Sequence, residues 1–169
     1  MSVLDLALPA PTDPTGLTGP AGLGRLAQAL ATDADLWRPL LHVDPVHRWY
    51  TRLARTEDWE AWLLTWAPGQ RTGLHDHGTS AGAFTVLEGR IEELTPRGRA
   101  GGGLVPRTFA AGDVRSFGRD HVHEVVGSCD RPAATLHVYG PHLARMNRYE
   151  LDAAGALRHV RSEVAGQDW

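Results

Sequence analysis

The feature that most constrains the fold of this chain is a series of short apolar runs, each closed by a turn that contains glycine or proline. The runs lie beyond Thr56 and read WEAWLLTWAPG, GAFTVLEG, RIEELTP, LVPRTFAAGDV, HEVVG, AATLHVYGP and NRYELDAAGALRHVR. The last run holds two strands around the turn DAAG. Short strands at regular spacing with such turns are typical of β-sandwiches and barrels. We therefore predict an all-β fold for this part of the chain.

The N-terminal part has a different pattern. Residues 1–20 are rich in proline, threonine and glycine and are predicted to form an irregular tail. Helical spacing then predicts two short α-helices that end before Pro45, with Thr32 or Asp33 capping the second. The spaced residues are Leu23, Leu26, Leu30, Leu36, Leu40 and Leu41. A third helical piece is predicted in PVHRWYTRLA, which also suits a strand entry, and residues 21–169 are predicted to form one domain.

Composition and charge argue against several classes of protein. The net charge is -3 and the basic residues, all arginine, form no block, which argues against a nucleic-acid binder. Cys129 is the only cysteine, so there is no intramolecular disulfide and a reducing compartment fits best. The sequence contains neither a convincing signal peptide nor an apolar run of transmembrane length. We predict a soluble, cytoplasmic monomer without nucleic-acid or membrane partners.

A pair of histidines ahead of one apolar run indicates a metal site. His75 and His77 are one residue apart, so on a strand both side chains project from the same face, ~6–7 Å apart along the backbone. Two such imidazoles can bind one ion when further ligands come from elsewhere in the chain. The candidates are His121, His123 and His137. Any one of them alone is better explained as a surface or core histidine.

Glycines frame these histidines in a pattern that resembles the two cupin motifs. The first half runs Gly69, five residues, His75-x-His77, four residues, Gly82, six residues, Gly89. The second half runs Gly112, five residues, Gly118 and then His123. This register selects His123 over His121 as the third ligand, whereas strand parity alone does not distinguish them.

The pattern departs from many cupins at two positions. Gly82 stands where they carry a glutamate ligand, and Gly127 stands at the usual asparagine position. The predicted ligand set is therefore three neutral imidazoles. An Fe(II) ion so bound keeps its double positive charge and favours an anionic incoming ligand such as a thiolate.

With these residues in place, the chain resembles the cysteine dioxygenase family. The resemblance runs from HRWYTRL to LHVYGP and rests on WYTR, WAPGQ…HDHG, VLEGRIEE, HEVVG and LHVYGP. It implies a cupin jelly-roll β-barrel preceded by short helices. It also implies an Fe(II) cofactor bound by His75, His77 and His123, with a small thiol and O2 as substrates. The implied reaction converts L-cysteine to cysteine sulfinic acid.

The resemblance implies further roles. Arg52 matches the arginine that pairs with the substrate carboxylate, and Tyr50 belongs to the same motif. Tyr139 matches the active-site tyrosine, and His137 matches the histidine that hydrogen-bonds it. Thr135 stands where the family usually has serine. These three residues alternate onto one strand face.

Two further positions bear on the same tyrosine. Animal members carry at the position of Gly82 a cysteine that crosslinks to the active-site tyrosine, so Tyr139 is predicted to be an unmodified phenol. Cys129 lies in the turn GSCDRP and does not replace that cysteine.

Alternatives remain open at this point. The substrate could be another thiol, such as 3-mercaptopropionate or mercaptosuccinate. Arg52 favours cysteine, while Arg145 or Arg148 could also reach the pocket. A cupin that binds a metal or small molecule without turnover is the second alternative, since a barrel alone implies no reaction. A three-histidine zinc hydrolase ranks last, because only His121 is an obvious general base.

Overall fold

The structure, a computed structural model, describes residues 18–98 and 101–164. Most of the predicted N-terminal tail, residues 1–17, lies outside the described residues. Within the part of the chain that the structure describes, no helix has the length and apolar character needed to cross a membrane.

Two short helices open the described chain, as predicted. Helix α1 spans Pro20–Thr32 and helix α2 spans Ala34–Trp37, and a 3₁₀ turn follows at Arg38–Leu40. Helix α1 begins with Pro20. Proline is favourable there because the first N–H groups of a helix have no acceptor within the helix, so the missing N–H costs no hydrogen bond. Asp33 occupies the N-cap position of α2, but its side chain makes no capping hydrogen bond.

The prediction of a third helical piece in PVHRWYTRLA is wrong. The backbone bends at residues 45–47 and then enters strand β1, Tyr50–Arg55. Tyr50 pairs with Leu64 across the β1–β2 hairpin, and the N–H of Thr65 donates to the carbonyl of Trp49. These long-range backbone hydrogen bonds outweigh the local helical pattern, and the aromatic and β-branched residues of the segment favour a strand.

The predicted strands are confirmed. After β1 come β2 Glu60–Trp66, β3 His75–Asp76, β4 Ala81–Glu88, β5 Arg90–Pro96, β6 Leu104–Ala110, β7 Val114–Phe117, β8 Glu124–Gly127, β9 Ala133–Gly140, β10 Arg145–Leu151 and β11 Leu157–Val164. They form three antiparallel sheets, of order β1-β2-β9-β4-β7, β11-β10-β3 and β6-β5-β8. The run LVPRTFAAGDV contributes two strands, β6 and β7.

The largest sheet separates two hydrophobic clusters. One face packs against α1, where Leu23, Ala27 and Leu30 meet Leu136 and Val138 of β9. The other face looks into the barrel, whose cluster contains residues of several strands: Trp66, Phe84, Ile91, Phe109, Phe117 and Tyr139. Because apolar groups cover both faces, every residue of β9 is buried. The polar residues of β9 that face the barrel are therefore held in a desolvated interior.

The two smaller sheets meet at the point where the metal site was predicted. An isolated antiparallel bridge joins His75 of β3 to His123, which immediately precedes β8. Each of these histidines donates its backbone N–H to the carbonyl of the other at 2.9 Å. A second bridge links Arg71 with Val126. The two histidine motifs, distant in sequence, are thus brought opposite one another by backbone pairing.

Candidate metal centre

The three histidines predicted as ligands come together in the barrel interior. One nitrogen atom of each of His75, His77 and His123 lies within 4.8 Å of the others, and all three residues are buried. Their ring centroids are 4.7 to 5.1 Å apart. Three imidazole nitrogens at this spacing can coordinate one first-row transition metal ion.

Hydrogen bonds fix which nitrogen of two rings faces the centre. His75 Nδ1 donates to the carbonyl of Gly73 at 2.9 Å, and His123 Nδ1 donates to the Glu93 carboxylate at 2.9 Å. A carbonyl and a carboxylate only accept, so both Nδ1 atoms carry the proton and both Nε2 lone pairs are left for an ion. His77 Nδ1 is buried without a hydrogen-bond partner among the described residues, so no contact there selects the tautomer of this ring.

Burial keeps the three rings neutral. Desolvation lowers the pKa of His75 and His77 well below the ordinary value, and the neighbouring imidazoles lower it further. Burial also lowers the pKa of His123, although the Glu93 carboxylate partly opposes this shift. A neutral imidazole is the form that binds a metal, so the site offers ligands that need not lose a proton first.

Glu93 lies beneath the centre and was not predicted from sequence. Its carboxylate accepts hydrogen bonds from His123 Nδ1, from His121 Nε2 at 2.8 Å and from Arg115 Nε at 3.0 Å. Burial alone would raise the pKa of Glu93, but these donors outweigh burial and lower it. The available signal was strand parity, because Glu93 shares the inward face of β5 with the core residue Ile91.

Glu93, His121 and His123 also form a group with ligand atoms close enough to hold a metal. This group shares His123 with the first one. The Nδ1 atom of His123 donates a proton to Glu93, so this nitrogen has no free lone pair for a metal in the Glu93 group. The Nε2 atom of the same ring faces the group of three histidines. We interpret the Glu93 group as the hydrogen-bond network that orients His123. The structure therefore gives His121 a role beside the centre and gives His123 a place in it.

Glu93→Gln is expected to weaken metal binding by about 10–100-fold, because the substitution removes the charge that orients His123 and keeps its ring basic. Competition with a chromogenic chelator measures the affinity. Glu92→Gln, one residue away on the opposite face of β5, is the matched control and should bind metal like the wild type. An unchanged affinity in Glu93→Gln would show that the carboxylate does not act on the metal ligand.

Asp76, between the two histidines of the first motif, anchors this segment. Its carboxylate accepts hydrogen bonds from the Gly78 N–H and Asn147 Nδ2, both at 2.8 Å, and from the Tyr149 hydroxyl at 2.7 Å. Side chains alternate along a strand, so the residue between two ligands projects away from the centre. Asp76 therefore fixes His75 and His77 against β10.

The predicted residues of β9 form a hydrogen-bonded chain that ends beside the centre. Trp66 Nε1 donates to Thr135 Oγ1 at 2.9 Å, Thr135 Oγ1 lies 3.0 Å from His137 Nε2, and His137 Nδ1 lies 3.3 Å from the Tyr139 hydroxyl. The Tyr139 ring centroid is 4.9 Å from that of His77. Burial lowers the pKa of His137 to about 3 and raises the pKa of Tyr139. Both side chains are therefore neutral at neutral pH.

The arginines named from sequence lie in different environments. Arg52 Nη1 is 3.9 Å from Glu60 Oε2, and 45% of the Arg52 side chain is exposed. Arg145 is exposed, whereas Arg148 is buried and donates to Glu163 at 2.7 Å and to the carbonyl of Thr72 at 3.0 Å. Tyr50, the other residue of the WYTR motif, is half-buried and packs against the barrel cluster. Among these residues, Arg52 and Arg148 already have glutamate partners.

A family comparison now bears on this arrangement. The sequence profile of the family described as cysteine dioxygenase type I matches residues 22–152, which is more than half of the chain. The chain belongs to this family. Its barrel is that of a dioxygenase-type cupin; cupins of this family bind a metal, and the cluster of His75, His77 and His123 could hold one.

Solved structures confirm the cupin jelly-roll prediction. A protein with a double-stranded β-helix domain from Klebsiella pneumoniae gives a TM-score of 0.53 at 17% identity and covers 73% of this chain and 93% of that one. A Thermus thermophilus protein gives 0.52 at 21% identity, with coverages of 62% and 93%. A cupin superfamily protein from Desulfitobacterium hafniense gives 0.51 at 13% identity, with coverages of 61% and 85%. These likenesses establish the fold.

Gly82 marks the clearest departure from animal cysteine dioxygenases. A β-carbon placed at Gly82 would lie 2.5 and 2.6 Å from two ring atoms of Phe117 and 3.0 Å from Tyr139 Cδ1. The crosslinking cysteine of the animal enzymes therefore does not fit here unless Phe117 moves. Cys129 is free and exposed, outside the centre.

Gly82→Ala is expected to lower the free energy of unfolding by about 1–3 kcal/mol, because its methyl group overlaps the Phe117 ring. Denaturant titration measures this change. Gly118→Ala is the matched control, since a β-carbon at Gly118 meets no atom within 4 Å. The double variant Gly82→Ala/Phe117→Leu should recover part of the loss. Equal stabilities of the Gly82 and Gly118 variants would contradict the packing argument.

Proposed function

We propose that this protein is a non-heme Fe(II) thiol dioxygenase that converts L-cysteine and O2 to cysteine sulfinic acid. The thiol sulfur gains both oxygen atoms, so its four-electron oxidation balances the four-electron reduction of O2 without another reductant. The observation that carries the proposal is the buried group of three neutral histidines with a tyrosine–histidine–threonine chain ending beside it.

The donor set supports iron and an anionic thiol. Imidazole ligands suit Fe(II), and three neutral rings leave the ion its full charge. When bound, Fe(II) would act as a Lewis acid toward the thiol and as a redox centre for O2. The chain contributes three imidazoles. Gly73 and Glu93 accept the Nδ1 protons of His75 and His123, so the orientation of these two rings is set before the metal binds.

The β9 chain supports a hydrogen-bonding role for Tyr139. Its hydroxyl can donate to a bound ligand only if His137 donates to the phenol oxygen through Nδ1. In that tautomer Thr135 donates to His137 Nε2 and accepts from Trp66 Nε1, which can only donate. All the donors then point in one direction, toward the centre. The neutral phenol, whose pKa is raised by burial, keeps its proton available for the reacting ligands.

L-cysteine is the substrate that the resemblance favours, through the match of Arg52 to the carboxylate-binding arginine. Other thiols with a carboxylate, 3-mercaptopropionate and mercaptosuccinate, share the two groups, thiol and carboxylate, that this match concerns. A guanidinium can bind any of these carboxylates through two parallel hydrogen bonds.

Oxygen consumption by the Fe(II)-loaded protein tests the proposal. The panel is L-cysteine, 3-mercaptopropionate, mercaptosuccinate and cysteamine. We expect the fastest uptake with L-cysteine, matched mole for mole by cysteine sulfinate. Faster uptake with another thiol would replace the substrate and keep the reaction. If iron is bound and no thiol supports uptake, the protein is a cupin that binds its ligand without this turnover.

A further inference from the structure

Arg48, a half-buried arginine near the centre, forms no ion pair with a carboxylate among the described residues. Arg48 Nε is buried and has no hydrogen-bond partner among the described residues. The guanidinium carbon of Arg48 lies 5.6 Å from the ring centroid of Trp66, which is fully buried in the barrel cluster. Cation–π contact of this kind stabilises the guanidinium over an apolar surface but provides no acceptor for the Nε–H.

Other arginines that contact this part of the fold are paired. Glutamate partners lie beside Arg52, Arg71, Arg115 and Arg148. The ion pairs that the described residues form do not include Arg48. An arginine stays protonated at neutral pH, so a half-buried guanidinium without a carboxylate beside it is available to bind an anion.

The position of Arg48 connects it with the candidate centre. Trp66, beneath the guanidinium, donates its indole N–H to Thr135, and Thr135 is hydrogen-bonded to His137. Arg48 is therefore in contact, through Trp66, with the hydrogen-bonded chain that ends beside the metal ligands.

We propose that Arg48 binds the carboxylate of the thiol substrate and is a specificity-determining residue of this protein. The inference rests on the proposed thiol dioxygenase function and assigns to Arg48 the anion-binding position for which the resemblance suggests Arg52. Arg52 is nearly half exposed and lies 3.9 Å from the Glu60 carboxylate, so part of its charge is already neutralised. Arg48 is half-buried and less exposed than Arg52, so a carboxylate that it binds is less screened by water and forms stronger hydrogen bonds.

Anaerobic titration calorimetry with the Fe(II)-loaded protein tests the proposal. The probes are 3-mercaptopropionate and 1-propanethiol, which place a carboxylate and a methyl group at the same distance from the sulfur. Arg48→Gln should weaken 3-mercaptopropionate binding by about 10–100-fold and leave 1-propanethiol binding nearly unchanged. Arg48→Lys should retain part of the preference, because it keeps the charge and loses the planar fork. Arg145→Gln, at an exposed arginine, is the control and should match the wild type.

Several results would overturn the assignment. Equal weakening of both thiols by Arg48→Gln would indicate a structural role, and a larger carboxylate-specific loss in Arg52→Gln would return the role to Arg52. A wild-type protein that does not prefer 3-mercaptopropionate over 1-propanethiol would also contradict it. The proposed function fails separately: a carboxylate preference that depends on Arg48, without O2 uptake for any thiol, would keep this site and reject the dioxygenase.

Discussion

His123→Ala is expected to lose stable iron binding, with an affinity reduced by more than about 100-fold. Removing a residue that only hydrogen-bonds a metal ligand already costs up to about 100-fold in affinity, and this substitution removes one of the three ligands themselves. His123 sits opposite His75 in a backbone bridge, and its ring is fixed by the hydrogen bond to Glu93. The His121 ring lies 4.9 Å from that of His123 but is bonded to Glu93 through Nε2, so we do not expect it to replace the lost ligand. Iron per protein chain after reconstitution and desalting measures the effect.

His121→Ala is the matched control for this substitution. His121 is two residues away, also bonds Glu93, and has a partly exposed side chain. Its removal should leave iron bound, with at most the modest weakening expected of a partner that acts through Glu93. If both variants lose iron equally, the assignment of His123 as the third ligand is wrong. Thermal unfolding of the two metal-free variants separates loss of ligand from loss of fold.

The second large effect is expected at Tyr139. Tyr139→Phe should keep iron, because the phenol oxygen is not among the three grouped ligand nitrogens, and should slow sulfinate formation by about 10²-fold. Loss of the same hydroxyl could instead uncouple the reaction, so that Tyr139→Phe consumes more O2 than the sulfinate it forms accounts for. The hydroxyl is the end of the donor chain from Trp66, so removing it leaves His137 Nδ1 without an acceptor and the reacting ligands without a donor.

Thr135→Ser and Thr135→Val make the Tyr139 test specific. Serine keeps the hydroxyl that meets His137 Nε2 and should retain nearly full activity, whereas valine is isosteric with threonine and removes it. Valine should therefore shift the rate in the same direction as Tyr139→Phe, by a smaller factor. The ratio of O2 consumed to sulfinate formed is measured for each variant. Wild-type rates and ratios in Tyr139→Phe would remove this residue from the mechanism.

The strands and the histidine group were accessible from sequence for a physical reason. Turn residues and alternation are local signals, and a strand's register fixes which side chains share a face. The glycine-framed spacing distinguished His123 from His121 where parity could not, and the structure brings His123 together with His75 and His77. Sequence patterns therefore predicted the strands and the three histidines of the centre.

The remaining parts of the site depend on long-range contacts. Glu93 lies on β5, and its role arises from the pairing of β5 with β8, which places Val125 opposite Glu93 and His123 nearby. Arg48 was assigned to a helical piece, yet the β1–β2 pairing extends the chain there and lays Arg48 over Trp66. Neither contact leaves a periodic signal in the sequence, since each joins segments that meet only after the barrel closes.

The most direct measurement of the central claim is the origin of the product oxygen atoms. The Fe(II)-loaded protein is incubated with L-cysteine under ¹⁸O₂ in ordinary water, and the product is analysed by mass spectrometry. We expect cysteine sulfinic acid in which both oxygen atoms added to the sulfur carry the label. A product with label in one added oxygen or in neither, or cystine as the only product, would contradict the assignment of this protein as a thiol dioxygenase.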